Sequence, residues 1–157
     1  MSSTDFSALC QALCTQLGVQ PPQLEPDPLG VVGFTVQLRG VDLAVLHTRP
    51  TDAFALLLVN FGPLDEDREP GIWRALMDAN FLLVGPDAPA FSRNPVTGEV
   101  LLQHVLPLAD VDAAQLRARM VHMAEVALQW RKDFFLSAGA EAQFTRTQDP
   151  VSSAAFA

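Results

Sequence analysis

The sequence has few positive charges and no long uninterrupted hydrophobic segment. Lys and Arg number 10 against 18 Asp and Glu, which gives a formal net charge of −8 over 157 residues. Such a surface repels nucleic acid and anionic membranes. No apolar run reaches the roughly 18 residues needed to cross a bilayer, and the N-terminus lacks the basic and apolar segments of a signal peptide. We therefore expect a cytoplasmic protein with no nucleic-acid partner and no membrane insertion.

The sequence also lacks the common catalytic motifs. It has no glycine-rich phosphate loop that opens a helix and no Gly-x-Ser-x-Gly elbow. The histidines, His47, His104 and His122, form no His-x-x-x-His pair. His47 and His104 each continue the apolar side of a predicted strand, whereas His122 and Glu125 are spaced to share a surface hydrogen bond on a helix. No nucleophile, base and orienting group can be assembled from these scattered histidines, so an enzyme with dispersed catalytic residues is the weakest hypothesis.

Two cysteines are present, Cys10 and Cys14, four residues apart on one side of a predicted helix. We interpret them as reduced thiols that pack as small hydrophobic groups, since a disulfide at this spacing would be near its geometric limit. A zinc site would need further ligands at suitable spacing. The acidic segment 62–70 lacks the alternating pattern of a calcium loop, so we expect no metal site.

The first half of the chain predicts one helix followed by a three-stranded antiparallel meander. The helix spans Asp5 to Leu17, with a cap at Ser3, Thr4 or Asp5 and an end at Gly18. A proline-rich connector, 19–28, leads to alternating strands at 32–38 and 41–48, and to a third strand at 53–61. The third strand is apolar at almost every position, and we expect both of its faces to be covered.

The second half predicts a helix, a hairpin and a long closing helix. A helix at 71–81 carries Pro70 in its first turn. A strand at 88–93 pairs with one at 99–108 across the turn Asn94–Gly98, and a helix capped by Asp110 or Asp112 runs to about Phe135. The order α-β-β-β-α-β-β-α gives an α+β fold, a twisted antiparallel sheet packed by helices. We expect one domain over 1–136 and a flexible tail over 137–157.

The predicted elements carry more apolar side chains than one chain of this size readily buries. The third strand, the long last helix and the first helix all contribute to this surplus. Large apolar surfaces that remain exposed mark sites for partners. Dimerisation together with a groove for another polypeptide would account for the surplus, and ordinary core burial would account for part of it.

Several local segments, taken in this order, carry a resemblance to a known family. They are Trp73 to Phe81 on the second helix, Phe91 to Gly98 followed by Glu99 to Gln103, and Pro107-Leu108 just before the acidic cap of the last helix. With the element order and the acidic composition, the chain resembles the class I type III secretion chaperones of the Tir-chaperone (CesT-like) family. The resemblance implies a secretion-chaperone-like homodimer that is not an enzyme and has no cofactor.

In that family, a dimer binds a secreted effector in an extended form, keeps it soluble and passes it to the export ATPase. The resemblance implies an effector-binding groove on the first helix and first three strands, which here maps to Phe6, Leu9, Leu13, Val32, Phe34, Val36, Leu43 and Val45. It implies a dimer interface on the second helix and last two strands, here Trp73, Leu76, Met77, Phe81, Leu101, Gln103 and Val105. Plain core burial is the alternative for each groove residue. A related α+β binding or regulatory domain in bacterial signalling is the alternative function.

Overall fold

The structure is a computed structural model, and it describes residues 5–49, 53–85 and 87–136. Its elements follow the predicted order, with one additional 3₁₀ turn at Glu66–Arg68. They are α1 (Phe6–Leu17), β1 (Val32–Leu38), β2 (Val41–His47), β3 (Phe54–Gly62), α2 (Glu69–Leu82), β4 (Ala90–Arg93), β5 (Val100–Pro107) and α3 (Ala113–Asp133). The α+β fold class is therefore confirmed.

The strands form one antiparallel sheet in the order β1-β2-β3-β5-β4. The meander β1-β2-β3 and the hairpin β4-β5 are both as predicted, because short turns join antiparallel neighbours. The register pairs Phe34 with Val45, Leu57 with His104, and Phe91 with Leu102. Strand β5 lies between β3 and β4, and this non-sequential neighbour brings the C-terminal hairpin onto the meander.

Helices α1 and α3 pack together on one face of the sheet and form the core with it. Alternate residues of β2, β3 and β5 point into this core, as the two-residue period of a strand requires. The largest fully buried side chains include Trp130 of α3, which contacts Phe61 edge-on at a ring-centroid distance of 5.6 Å. Phe91 contacts Phe61 in the same manner, at 5.1 Å. The aromatic cluster thereby joins α3 to β3 and β4.

The predicted helix ends are confirmed where the structure describes them. The Asp5 carboxylate accepts a hydrogen bond from the Ser7 N–H at 3.0 Å and caps α1, while Ser3 and Thr4 lie outside the described residues. Asp112 forms a reciprocal capping box with Gln115 at the start of α3. Gly18 ends α1 in the left-handed conformation, at φ +69°.

Several boundaries and contacts differ from the prediction. Helix α2 begins at Glu69 rather than at residue 71, so part of the acidic segment is helical. Strand β4 begins at Ala90, two residues later than predicted. The carboxylate of Glu125 binds Arg39 at 2.7 Å, which joins α3 to the β1–β2 turn in place of the predicted His122 contact. The predicted tail, 137–157, lies outside the described residues.

Candidate binding surface

The face of the sheet opposite α1 and α3 is apolar along its central strands. The residues that we call the open sheet face are Ala44, Leu46, Phe54, Leu56, Leu58, Leu101 and Val105. In the register, Leu46 lies beside Leu56, and Leu56 lies beside Val105. Phe54 is 52% exposed and Val105 is 48% exposed. Neighbouring apolar side chains on three strands thus form one partly exposed surface.

No described helix packs extensively over the open sheet face. Helices α1 and α3 occupy the other face, and α2 lies along the outer edge of β4. The Asn80 side chain holds α2 there: its Oδ1 accepts from the Phe91 N–H at 2.7 Å, and its Nδ2 donates to the Phe91 carbonyl at 3.1 Å. The amide of Asn80 therefore occupies hydrogen-bonding groups at the β4 edge and leaves α2 beside the sheet. The expectation that both faces of β3 are covered is wrong for the described residues, since only the α3 side carries helices.

Two pairs of polar side chains beside the open sheet face form hydrogen bonds within each pair. The amide of Gln37 donates to Asp42 at 3.0 Å on the first two strands. The Gln103 amide donates to the Ser92 hydroxyl at 2.9 Å on the last two. Polar groups that already share a hydrogen bond gain little binding free energy from a new partner. The apolar side chains of the central strands are therefore the part of this surface that is suited to binding.

The structure places most of the predicted groove residues in the core. Phe6, Leu9, Leu13, Val36, Leu43 and Val45 are each at most 8% exposed. For these, core burial, the alternative considered above, describes their position in the single chain. Val32 and Phe34 are half-buried on β1 and pack against the core. We call Val32 and Phe34 the β1 strip, and its role in effector binding stays a prediction.

The predicted dimer residues divide between two places. Leu101, Gln103 and Val105 lie on the outward side of β5, where they belong to or border the open sheet face. Met77 and Phe81 are exposed on α2, at 49% and 82%.

The remaining predicted dimer residues on α2 are less exposed than Met77 and Phe81. Trp73 is half-buried, and its indole N–H donates to the Glu69 carboxylate at 3.1 Å. Leu76 is fully buried within the chain and presents no surface to a second copy. The structure adds Leu82, the last residue of α2, and Val84, just after the helix, at 45% and 79% exposure, to Met77 and Phe81. We call these four the α2 outer surface.

The open sheet face was not predicted as one site, although Leu101 and Val105 were predicted as dimer residues. The apolar composition of β3 was the available signal, but it assigned no role to Leu56 and Leu58. Only the pairing of β3 with β2 and β5 shows that Leu46, Leu56 and Val105 are neighbours. That pairing decides which apolar residues form one surface.

The two cysteines of α1 are buried free thiols. Burial, with smaller effects from Cys14 and Asp5, raises the pKa of the Cys10 thiol to about 12, which keeps it protonated and unreactive. Burial raises the pKa of Cys14 as well. Throughout residues 5–49, 53–85 and 87–136, no three His, Cys, Asp or Glu side chains lie close enough to hold a metal ion.

Within the described residues, the chain has an α+β fold in which a five-stranded antiparallel sheet carries two helices on one face and none on the other. The chain belongs to the Tir chaperone protein (CesT) family, whose model matches residues 8–131. This match confirms the resemblance to the type III secretion chaperones. A comparison with proteins of curated function gave no match. No helix in the described part of the chain is long and apolar enough to cross a membrane.

Solved structures share this fold at low sequence identity. A chain of the ExsC–ExsE complex is 19% identical with a TM-score of 0.65, covering 87% of this chain and 98% of that chain. The HopA1–SchA chaperone–effector complex gives 17% identity and a TM-score of 0.60 over 84% of this chain and 97% of that one. The Yersinia pestis type III secretion chaperone SycH, in complex with a YscM2 fragment, gives 18% identity and 0.54 over 79% and 98%.

Proposed function

We propose that this chain is a type III secretion chaperone that binds the N-terminal region of a cognate effector in an extended form. Membership of the Tir chaperone protein (CesT) family supports this function. Among the structures that share the fold, one is a chaperone–effector complex and another holds a secretion chaperone with a bound fragment. The observation that carries the proposal is the open sheet face, an apolar surface on the central strands that no described helix covers.

The open sheet face suits an unfolded polypeptide better than a small molecule. It is a broad surface rather than a set of converging polar groups. Covering it gains about 25 cal/mol per Å² of apolar area, and the ordering of the bound segment offsets much of this gain. Strand β1 is an edge strand and could add a strand of the effector through backbone hydrogen bonds. The net charge of −8 favours effector segments that carry basic residues.

The proposed function includes homodimerisation through the α2 outer surface. Phe81 is the most exposed of its large apolar side chains, at 82%, with Val84 close behind at 79%. Large apolar side chains with this much exposure are a liability for a monomer and an advantage at an interface. The chaperone would act in the cytoplasm, without enzymatic activity, and would deliver the effector to the export ATPase. The family match favours this function over a signalling domain of similar topology.

Capture of the effector tests the proposed function. The tagged chain is purified from cells in which type III export is blocked, and bound proteins are identified by mass spectrometry. The expected result is a secreted protein that the chaperone holds through its N-terminal region, and that becomes insoluble when expressed alone. Recovery of cytoplasmic signalling proteins without any secreted protein would instead support the alternative function.

Charge substitutions locate the binding surface. Phe54→Asp places a carboxylate on the open sheet face, and Phe34→Asp places one on the β1 strip. The matched control is Val96→Asp at the β4–β5 turn, where the side chain is 90% exposed and lies away from both surfaces. We expect Phe54→Asp to abolish effector capture and Val96→Asp to preserve it. If only Phe34→Asp abolishes effector capture, the binding site is the β1 strip and not the open sheet face.

Sedimentation equilibrium tests the dimer separately from effector binding. The chain of 17.0 kDa should sediment as a species of twice that mass. Phe81→Asp should yield the monomer, because a carboxylate would be buried without a partner at the interface. Val96→Asp again serves as the control and should remain dimeric. A monomeric wild-type chain at micromolar concentration would contradict this part of the proposal.

A further inference from the structure

The side chain of His104 is a buried polar group without a well-formed hydrogen bond. It lies on the core side of β5, opposite Leu57 of β3, and is 7% exposed. Both ring nitrogens, Nδ1 and Nε2, are inaccessible to solvent, and neither makes a hydrogen bond of ordinary geometry, although the Asp87 backbone has a weak hydrogen-bonding influence on the ring. Most buried polar side chains in native proteins are hydrogen-bonded, so such an exception calls for a physical reason. A neutral imidazole tolerates this position far better than a charged one, because burying an unpaired charge is much more costly.

The charged groups around His104 come from two further elements. Arg119 extends from α3, and Asp87 belongs to the segment before β4, whereas the residue of β3 that lies opposite His104 is Leu57. Burial lowers the pKa of His104 below its ordinary value of 6.5, and the positive charge of Arg119 lowers it further. The backbone of Asp87, through hydrogen bonding, and the charge of its carboxylate both raise the pKa of His104 without cancelling these effects. His104 is therefore neutral near pH 7.

We propose that His104 is an acid-sensitive element that loosens the β4–β5 side of the sheet when the surroundings become acidic. Its sequence neighbours Gln103 and Val105 face the other way, towards the open sheet face. A proton on His104 would be accommodated only by movement of β5 or of the segment that carries Asp87. Such movement would change the surface to which the effector is proposed to bind, and in this respect the inference rests on the proposed function.

The direction of the effect follows from the two protonation states. Because the pKa of His104 is lower in the folded chain than in the unfolded chain, the unfolded chain binds more protons below pH 6.5. Stability contributed by the neutral ring is complete above pH 6.5 and is lost as the pH falls towards the folded-state pKa. Within that window, this one group raises the unfolding equilibrium constant by up to about tenfold per pH unit.

Urea unfolding of the full chain tests the inference. Wild type and His104→Leu are compared at about pH 7.5 and about pH 5.5, on either side of the ordinary histidine pKa. The unfolding equilibrium constant of the wild type, divided by that of His104→Leu, should be several-fold to about tenfold larger at the lower pH than at the higher pH. His122→Gln, on the half-buried side of α3, is the control and should keep the wild-type dependence. Equal pH dependence in wild type and His104→Leu would overturn the inference.

A second measurement does not require a folded variant. Nuclear magnetic resonance of the wild-type histidine rings should show His104 titrating below pH 6.5, with faster amide exchange in β4 and β5 as it protonates. Titration at or above that value would overturn the inference. Neither measurement involves an effector, so failure here is distinct from failure of the proposed chaperone function.

Discussion

Arg131 joins the end of α3 to the end of β3 and to the β1–β2 turn through three backbone carbonyls. Its Nε donates to the Phe61 carbonyl at 2.8 Å, its Nη2 to Asn60 at 3.0 Å and its Nη1 to Gly40 at 3.1 Å. One guanidinium thus ties the end of β3 and the β1–β2 turn to the last helix. We predict that Arg131→Met, which keeps the apolar stem and removes all three bonds, destabilises the fold.

The expected loss is smaller than the sum of three isolated bonds. A hydrogen bond to a charged group contributes about 1.5–3 kcal/mol when water is excluded. Only the bond to Phe61 is partly buried, and the other two are exposed. Water replaces much of the lost interaction at exposed sites, so we expect a total loss of about 2–3 kcal/mol. The stability of Arg131→Lys should lie between those of Arg131→Met and the wild type, because a single ammonium group cannot reach all three carbonyls.

Chemical denaturation followed by circular dichroism measures this loss directly. Arg117→Met on the exposed side of the same helix is the matched control, and it should stay within about 0.5 kcal/mol of the wild type. If Arg131→Met is no more destabilising than Arg117→Met, the three bonds do not hold the sheet to α3. If Arg131→Lys is fully stable, one charge suffices and the forked geometry has no role.

Three further outcomes can be measured on the same chain. Asp112→Ala should lower stability by about 1 kcal/mol in thermal unfolding, since it removes the cap of α3; an unchanged melting temperature would contradict the role of the cap. Gly33→Ala should cost about 1–3 kcal/mol, because the added Cβ meets the Val45 carbonyl oxygen of the adjacent strand; a stability equal to the wild type would refute this packing constraint. The buried thiols of Cys10 and Cys14 should react with a thiol reagent near pH 8 only after unfolding, and rapid reaction of the native chain would contradict their raised pKa values.

Local patterns in the sequence were sufficient to predict the elements of this fold. Helix caps and helix-ending glycines act over a few residues, so their effect can be predicted without the rest of the chain. Asp5, Asp112 and Gly18 are examples. The alternation in β1 and β2 likewise predicted which side chains share a face. Boundaries were less certain where competing signals overlap: Glu69 joined α2 although it lies in an acidic loop sequence.

The candidate site was predicted less well, because a surface depends on contacts between distant segments. Helical spacing gave α1 an apolar stripe, and the resemblance assigned Leu9 and Leu13 to a groove. In the fold, α3 packs against α1, and both side chains lie in the core. Nothing local distinguishes a stripe that meets another helix from one that meets a partner.

The sequence by itself determined which residues are helical, which are extended and which faces are apolar, since these depend on near neighbours and on a period of two or 3.6 residues. Tertiary structure alone decided which apolar faces stay uncovered. Strand β5 inserts beside β3, and α1 and α3 both take the same side of the sheet. That choice buries His104 and leaves Leu56 on the open sheet face, because an element can cover only the surface against which it packs.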